Sequence, residues 1–282
     1  MTDMESGISP ETTVGRVALR VNALDRMSRF YETVVGLERL RKNDGTAVLG
    51  AGGVPLLELV VDADASERKR QEAGLFHTAF LVPSRSALAD ALVRIEDGWE
   101  LSGASDHRVS EALYFTDPEG NGVEMYRDRP RAEWPLSEDG LVQMGTLPLD
   151  IDELRSHATG AKNVPPGTVV GHVHLEVSSL AAAREFYVET LGMRVRQRFG
   201  PSALFLAADD YHHHIGLNTW NDRTEPVEGC GLLWFELVVP DDSALDRIRE
   251  RFTASGIDVT PGETGIEVTD SDGIKVNILV RD

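Results

Sequence analysis

Cysteine is nearly absent from this 282-residue chain, where Cys230 stands alone. One thiol excludes an internal disulfide framework and suits a reducing compartment, so a cytoplasmic location is expected. Long apolar runs are missing as well. No stretch approaches the roughly 20 apolar residues that span a bilayer, and the opening "MTDMESGISPETT" lacks a basic segment followed by an apolar one. A membrane partner and an export signal are therefore not expected. Lysine is scarce, with Lys42, Lys69, Lys162 and Lys275 among 28 Lys and Arg residues. The formal charge of -19 repels nucleic acid and anionic lipid, which makes both poor partners. An acidic, lysine-poor surface fits a protein kept soluble in concentrated salt, so a halophilic character is expected. No phosphate-cradling loop is visible either: "GAGG" at 50–53 has no following helix or lysine that would make one.

What the chain does have is internal repetition. "VNALDRMSRFYETVVGL" (21–37) and "VSSLAAAREFYVETLGM" (177–193) share Val, Leu, Phe, Tyr and Gly at a constant offset of 156 (177 - 21 = 156). "GLFHTAFLVPSRSAL" (74–88) and "GLLWFELVVPDDSAL" (231–245) repeat at an offset of 157 (231 - 74 = 157). The chain is duplicated, and each half holds two units. Every unit opens on a strand of period two, continues into an amphipathic helix such as Leu88, Leu92, Val93 and Ile95, and ends on shorter strands. The pattern is βαβββ, over about 14–62, 73–128, 168–220 and 230–282. The expected division is an N-terminal half at 1–128, a connector at 129–167 carrying the helix candidate "DIDELRSHA", and a C-terminal half at 168–282.

Four βαβββ units over nearly the whole chain resemble the vicinal oxygen chelate superfamily, which includes glyoxalase I, bleomycin-resistance proteins and extradiol dioxygenases. The resemblance implies an α+β fold, with units paired into two cup-shaped mixed sheets and helices outside. Strand alternation then selects the residues able to face a cup. In "GHVHLEV" (171–177), Val173, Leu175 and Val177 pack under the helix while His172, His174 and Glu176 face the other way. In "GVEMY", Glu124 and Tyr126 lie opposite Val123 and Met125. The cup positions of the superfamily fall on Ala18, His77, His174 and Trp234 in first strands. In last strands they fall on the Leu57 and Glu58 region, Glu124, the run His212, His213, His214, and Lys275, which aligns with Glu124 if two residues are deleted at the turn. Ligand-competent residues gather in units two and three. Pairing one with two and three with four stays open, but pairing two with three would collect His77, Glu124 and His174 in a single cup, and is favoured.

The stretch "SDHRVSEALYFTDPEGNGVE" (105–124) closely resembles the extradiol dioxygenase signature, through His107, Leu113, Tyr114, Asp117, Pro118, Gly120 and Glu124; Ser105 departs from it. With "YHHHIGLNTW" it narrows the resemblance to the two-domain catechol 2,3-dioxygenase group. That resemblance implies an enzyme acting on a small aromatic diol with O2. Its Fe(II) would sit on His77, His174 and Glu124, with Mn(II) or Zn(II) as alternatives. Two histidines and a carboxylate with open positions is the set used by non-haem iron oxygenases. His212 and His214 are expected to face the cup for acid-base work, with Tyr114 and His107 hydrogen-bonding substrate or oxygen, and His172, His213 and Tyr126 lining the substrate site. A homodimer is the default assembly. Two rival readings remain: a glyoxalase-type isomerase or lyase, and a metal-free binding protein of bleomycin-resistance type.

Overall fold

The computed structural model describes residues 7–262 and 264–281. Unit one comprises β1 (Thr13–Val21), α1 (Leu24–Phe30), β2 (Glu38–Lys42), β3 (Thr46–Ala51) and β4 (Val54–Val61). Unit two comprises β5 (Gly74–Leu81), α2 (Arg85–Gly98), β6 (Gly103–Asp106), β7 (Ser110–Thr116) and β8 (Gly122–Asp128). The connector carries β9 (Leu147–Pro148) and α3 (Ile151–Arg155). Unit three follows with β10 (Val169–Glu176), α4 (Leu180–Arg184), β11 (Arg194–Phe199), β12 (Ala203–Ala207) and β13 (Ile215–Asn218). Unit four adds β14 (Gly231–Val239), α5 (Asp242–Ala254), β15 (Thr260–Pro261), β16 (Gly265–Thr269) and β17 (Lys275–Val280). The class is α+β, with four βαβββ units in two curled mixed sheets. Among the described residues no helix is long and apolar enough to cross a membrane.

The strands assemble across the two halves of the chain. One sheet runs β15-β16-β17-β14-β1-β4-β3-β2, the other β11-β12-β13-β10-β5-β8-β7-β6-β9. Unit one thus joins unit four through the antiparallel pair β1 and β14, and unit three joins unit two through β10 and β5. The division at 1–128, 129–167 and 168–282 describes repetition along the chain, whereas each sheet draws one unit from each half. The alternation that sorts the seam strands is visible in burial. Val17, Leu19 and Val21 of β1, Val173 and Leu175 of β10, and Val177 just after it are fully buried under the helices.

Consecutive units, although in different sheets, are clasped by one recurring contact. Helices α1 and α4 each widen into a π-helical turn, Tyr31–Val35 and Glu185–Thr190. Such turns re-aim side chains relative to a regular helix. Tyr31 donates its hydroxyl to Asp117 of unit two at 3.0 Å, and Tyr187 donates to Asp270 of unit four at 2.9 Å. In the same turns Glu119 accepts from the backbone N–H of Asn22 and Ala23 ahead of α1, and Asp272 accepts from Ser178 ahead of α4. Carboxylates there satisfy amides that have no partner inside the helix.

The connector is not a free tether. β9 extends the second sheet by pairing with β6. The buried Asp90 accepts from Thr159 and Gly160 at 2.6 and 2.7 Å. His157 sits at the surface, bonded to Glu153 and Arg85.

The cup of units one and four is crossed by contacts among its own side chains. Arg16 bridges Glu58 at 3.1 Å and Glu236 at 2.6 Å, and its guanidinium lies over the Trp234 ring. Arg16 occupies the place of His172 (16 + 156 = 172) and Trp234 that of His77 (77 + 157 = 234). Lys275 does not stand at the place of Glu124. β17 pairs with β14 so that Asn277 lies opposite Glu236, as Glu124 lies opposite Ala79, and the two turns align without a deletion. Lys275 instead pairs with Glu267. Replacing Arg16 by methionine leaves the buried Glu236 without its cation, and removing one partner of such a pair costs about 3 kcal/mol. The expected result is a lower midpoint in urea with unchanged metal content. Loss of metal from R16M would show that this cup is not merely structural.

Candidate metal centre and its cavity

Three side chains meet where β8, β5 and β10 run side by side. The registers place Glu124 opposite Ala79, and Ala79 opposite His172, in one row across the sheet. Because Ala79 carries only a methyl group, Glu124 and His172 can approach each other above it. His77, two residues before Ala79, shares its face. The Glu124 Oε2 lies 2.9 Å from His77 Nε2 and 3.1 Å from His172 Nε2, and the two imidazole nitrogens are 3.3 Å apart. All three residues are buried. Among the described residues, this is the group of histidine, cysteine and acidic side chains whose donor atoms cluster closely enough for one ion. Ligand atoms bound at about 2.1 Å to a common ion are spaced about 3 Å apart, so the donor set suits a divalent metal.

His174 lies outside this group, which corrects the expectation from the sequence. It stands opposite His77 in the neighbouring row, paired on its other side with Gly216. A β-carbon at Gly216 would lie 2.8 Å from the His174 ring, so the imidazole folds over that glycine. There it is surrounded by Phe76, Phe205 and Trp220, and its Nε2 is buried without a hydrogen-bond partner. In "GHVHLEV" it is the first histidine, not the second, whose ring nitrogen lies with the donor atoms of His77 and Glu124.

The electrostatics favour the ligand forms. Burial opposes the charge of Glu124, but the two imidazoles bonded to it outweigh burial and hold the carboxyl well below the usual range. Burial pushes His172 down to about 4, despite the pull of Glu124. It also pushes His174 and His213 well below the ordinary histidine value. A carboxylate beside a neutral His172 imidazole is what a metal requires of those two side chains.

These residues line a cavity of about 550 Å³. Tyr114, opposite Glu124 on β7, forms one wall. Burial, reinforced by Glu124, raises its phenol well above 10, so its proton stays on. The hydroxyl lies 2.7 Å from His107 Nε2, while His107 Nδ1 lies 2.6 Å from the carbonyl of Gly145. A carbonyl only accepts, so Nδ1 carries hydrogen, and a neutral His107 receives the Tyr114 proton's hydrogen bond at Nε2.

The histidine run sorts differently from its expected alternation. Residues 211, 212 and 214 form bends, and β13 begins only at Ile215, so period-two geometry does not apply. His213 lines the cavity, its ring centroid 4.0 Å from that of His172. His212 faces Asp128, and His214 accepts from the backbone N–H of Ala208, with burial lowering it to about 4. Tyr126 is also behind the wall. Its hydroxyl meets that of Tyr211 at 2.8 Å and fills the space beside Gly171, where a β-carbon would lie 1.8 Å away.

Several site residues escaped the sequence reading. Phe76, Phe205 and Trp220 make the aromatic end of the cavity, and Met144 to Thr146 of the connector close one side. Gln197 bonds both backbone groups of Met144 and holds that segment in place. At the rim Arg68 and Arg223 both grip the buried Glu176. Alternation in β12 could have flagged Phe205, but Phe76 directly precedes His77 and reaches the cavity at an irregularity in the β5–β10 register, and the loop residues carry no such signal.

Residues 13–125 and 169–278 match the model of the Glyoxalase/Bleomycin resistance protein/Dioxygenase superfamily. The chain is 38% identical over 274 residues to a catechol-2,3-dioxygenase of Bacillus subtilis (strain 168), covering 94% of this chain and 96% of that protein. Among solved structures, a candidate dioxygenase from Bacillus subtilis subsp. subtilis str. 168 matches with a TM-score of 0.64 at 16% identity, over 98% of this chain and 86% of the other. Glyoxalase I from Zea mays matches at 0.59 and 17% identity, over 96% and 92%. The two structures share the fold, and the family match spans both halves of the repeat. The chain therefore belongs to the glyoxalase, bleomycin resistance protein and dioxygenase superfamily.

Proposed function

We propose that the protein is an extradiol dioxygenase that cleaves a catechol-type aromatic diol with O2, using Fe(II) held by His77, His172 and Glu124. The observation that carries this reading is the convergence of two imidazoles and one carboxylate in a buried, aromatic-walled cavity. Its relation to a catechol-2,3-dioxygenase over most of the chain supports it. When bound, iron supplies coordination positions for the diol and O2, and the redox chemistry that a closed-shell ring and triplet O2 lack together.

The protein's own residues orient and handle protons. Phe76, Phe205 and Trp220 offer faces and edges to an aromatic ring. His213 stands beside the ligand His172 with its imidazole neutral, the form able to take a proton from a diol hydroxyl. Tyr114 keeps its proton beside Glu124, and its hydroxyl, anchored by His107, can hydrogen-bond an oxygen of the substrate. The surrounding burial excludes bulk water from both groups.

A glyoxalase-type reading would ask for a carboxylate from each contributing unit, and the cluster holds Glu124 alone. The test is anaerobic loading with Fe(II), followed by catechol and its 3- and 4-substituted forms in an oxygen electrode. One O2 consumed per diol, with a yellow ring-opened product, is the expected result. Stoichiometric iron without O2 uptake on any of these diols would overturn the proposal.

A further inference from the structure

His213 is tied to the protein by one ring nitrogen. Its Nδ1 lies 2.7 Å from His212 Nδ1, and His212 Nε2 lies 3.0 Å from Asp128 Oδ1. Asp128 ends β8, four residues after Glu124, so one strand supplies both the carboxylate of the metal group and the anchor of this chain of rings. His212 is wedged between the rings of Tyr211 and Trp134, at centroid distances of 4.0 and 5.3 Å, which fixes its plane.

Donor and acceptor accounting orders the protons. A carboxylate accepts, so the hydrogen between Asp128 and His212 belongs to His212 Nε2. A neutral His212 then offers a lone pair at Nδ1. Two nitrogens 2.7 Å apart share one hydrogen, which must come from His213 Nδ1. That leaves the lone pair of a neutral His213 on Nε2, the nitrogen on the cavity side of the ring. Were His212 an imidazolium, both its nitrogens would donate, His213 Nδ1 would accept, and Nε2 would carry hydrogen instead. The two arrangements present opposite faces to a ligand.

We propose that Asp128 and His212 are positioning residues that hold His213 as its Nδ1–H tautomer, so that the Nε2 lone pair is the acceptor that a diol hydroxyl meets. The part concerning the diol rests on the function proposed above, whereas the tautomer does not. The same logic governs other enzymes in which a carboxylate selects the imidazole tautomer facing the substrate.

The test is two-bond proton–nitrogen correlation on histidine-labelled full-length protein, metal-free and Zn(II)-loaded, together with kinetics of the Fe(II) enzyme. In the native chain, the His213 Nε2 resonance is expected in the range of a bare imidazole nitrogen and Nδ1 in that of a protonated one. His212→Phe keeps a ring between Tyr211 and Trp134 but removes the acceptor. The His213 pattern then moves toward the Nε2–H form, and kcat falls about a hundredfold with KM and metal stoichiometry held. Asp128→Ala, which leaves all rings in place, moves both readouts the same way and serves if the phenylalanine variant does not fold. A protonated Nε2 in the native chain, or unchanged His213 resonances in both variants, overturns the tautomer. Absent O2 uptake by the native enzyme would instead overturn the proposed function and leave the resonances to judge the tautomer alone.

Discussion

Alanine at His172 is expected to abolish stoichiometric metal binding, while alanine at His174 leaves the metal in place. The two histidines are separated by one residue on the same strand, yet only His172 shares the row of Ala79 and Glu124. His172→Ala removes one of three donors from an ion whose remaining ligands cannot close the gap, and affinity should fall by more than about 100-fold. Diol-dependent O2 uptake should disappear with it. His174→Ala empties a pocket between Phe76, Phe205 and Trp220, so its effect should fall on diol affinity and on stability. Metal analysis after dialysis, with circular dichroism as the check on folding, separates the two. Iron lost from H174A and kept by H172A would reverse the assignment.

The second large effect is expected at a residue with no side chain. Gly122 lies opposite His77 where β8 meets β5, and a β-carbon there would stand 2.0 Å from the carbonyl oxygen of Phe76 and 3.0 Å from the His77 side chain. That oxygen is backbone in the middle of a ladder and cannot yield as a flexible side chain does. Gly122→Ala must therefore part the strands just where His77 and Glu124 converge. Overpacking of this kind costs about 3 kcal/mol or more. For a chain of this size that corresponds to a drop of about 10 °C in Tm. Metal binding should be lost at temperatures where the fold persists. Gly98→Ala, with nothing within 4 Å of the new methyl group, is the control and should change neither. A G122A protein with native Tm and full metal content would show that the close approach of the two strands is not needed.

The fate of individual residues shows what a chain reveals before it is folded. The repeat and the hairpin motif were legible because both are local. The motif around Asp117 to Glu124 proved to do two jobs, since the same turn that delivers Glu124 also receives Tyr31 and the amides before α1. The choice between His172 and His174 was not legible, because alternation assigns a face and says nothing about rows. Rows depend on the register between strands far apart in sequence, on the small side chain of Ala79 and on the absent one of Gly216. The run at 212–214 is illegible for a different reason: it precedes β13, where strand alternation does not hold. Lys275 matches Glu124 only with a deletion at the turn, which the paired registers of β8 and β17 exclude. The connector could reach either arrangement of units, so its length carried no information. Its contribution to the cavity wall, through Met144, Gly145 and the Gln197 latch, needed the folded chain.

The crossing of the halves has a bearing on ancestry. A single half, assembled with a copy of itself about a two-fold axis, would close two identical cups, each made from one unit of either copy. In such an assembly every substitution is written twice, so a cup cannot be abandoned without losing both. Joining the copies through the connector breaks that identity. In this chain one cup carries Arg16, Trp234 and Asn277 and is braced by ion pairs, where the other carries His172, His77 and Glu124 at the equivalent positions. Here both partners of that two-fold belong to one chain, and its symmetry is visible in the paired clasps of Tyr31 on Asp117 and Tyr187 on Asp270.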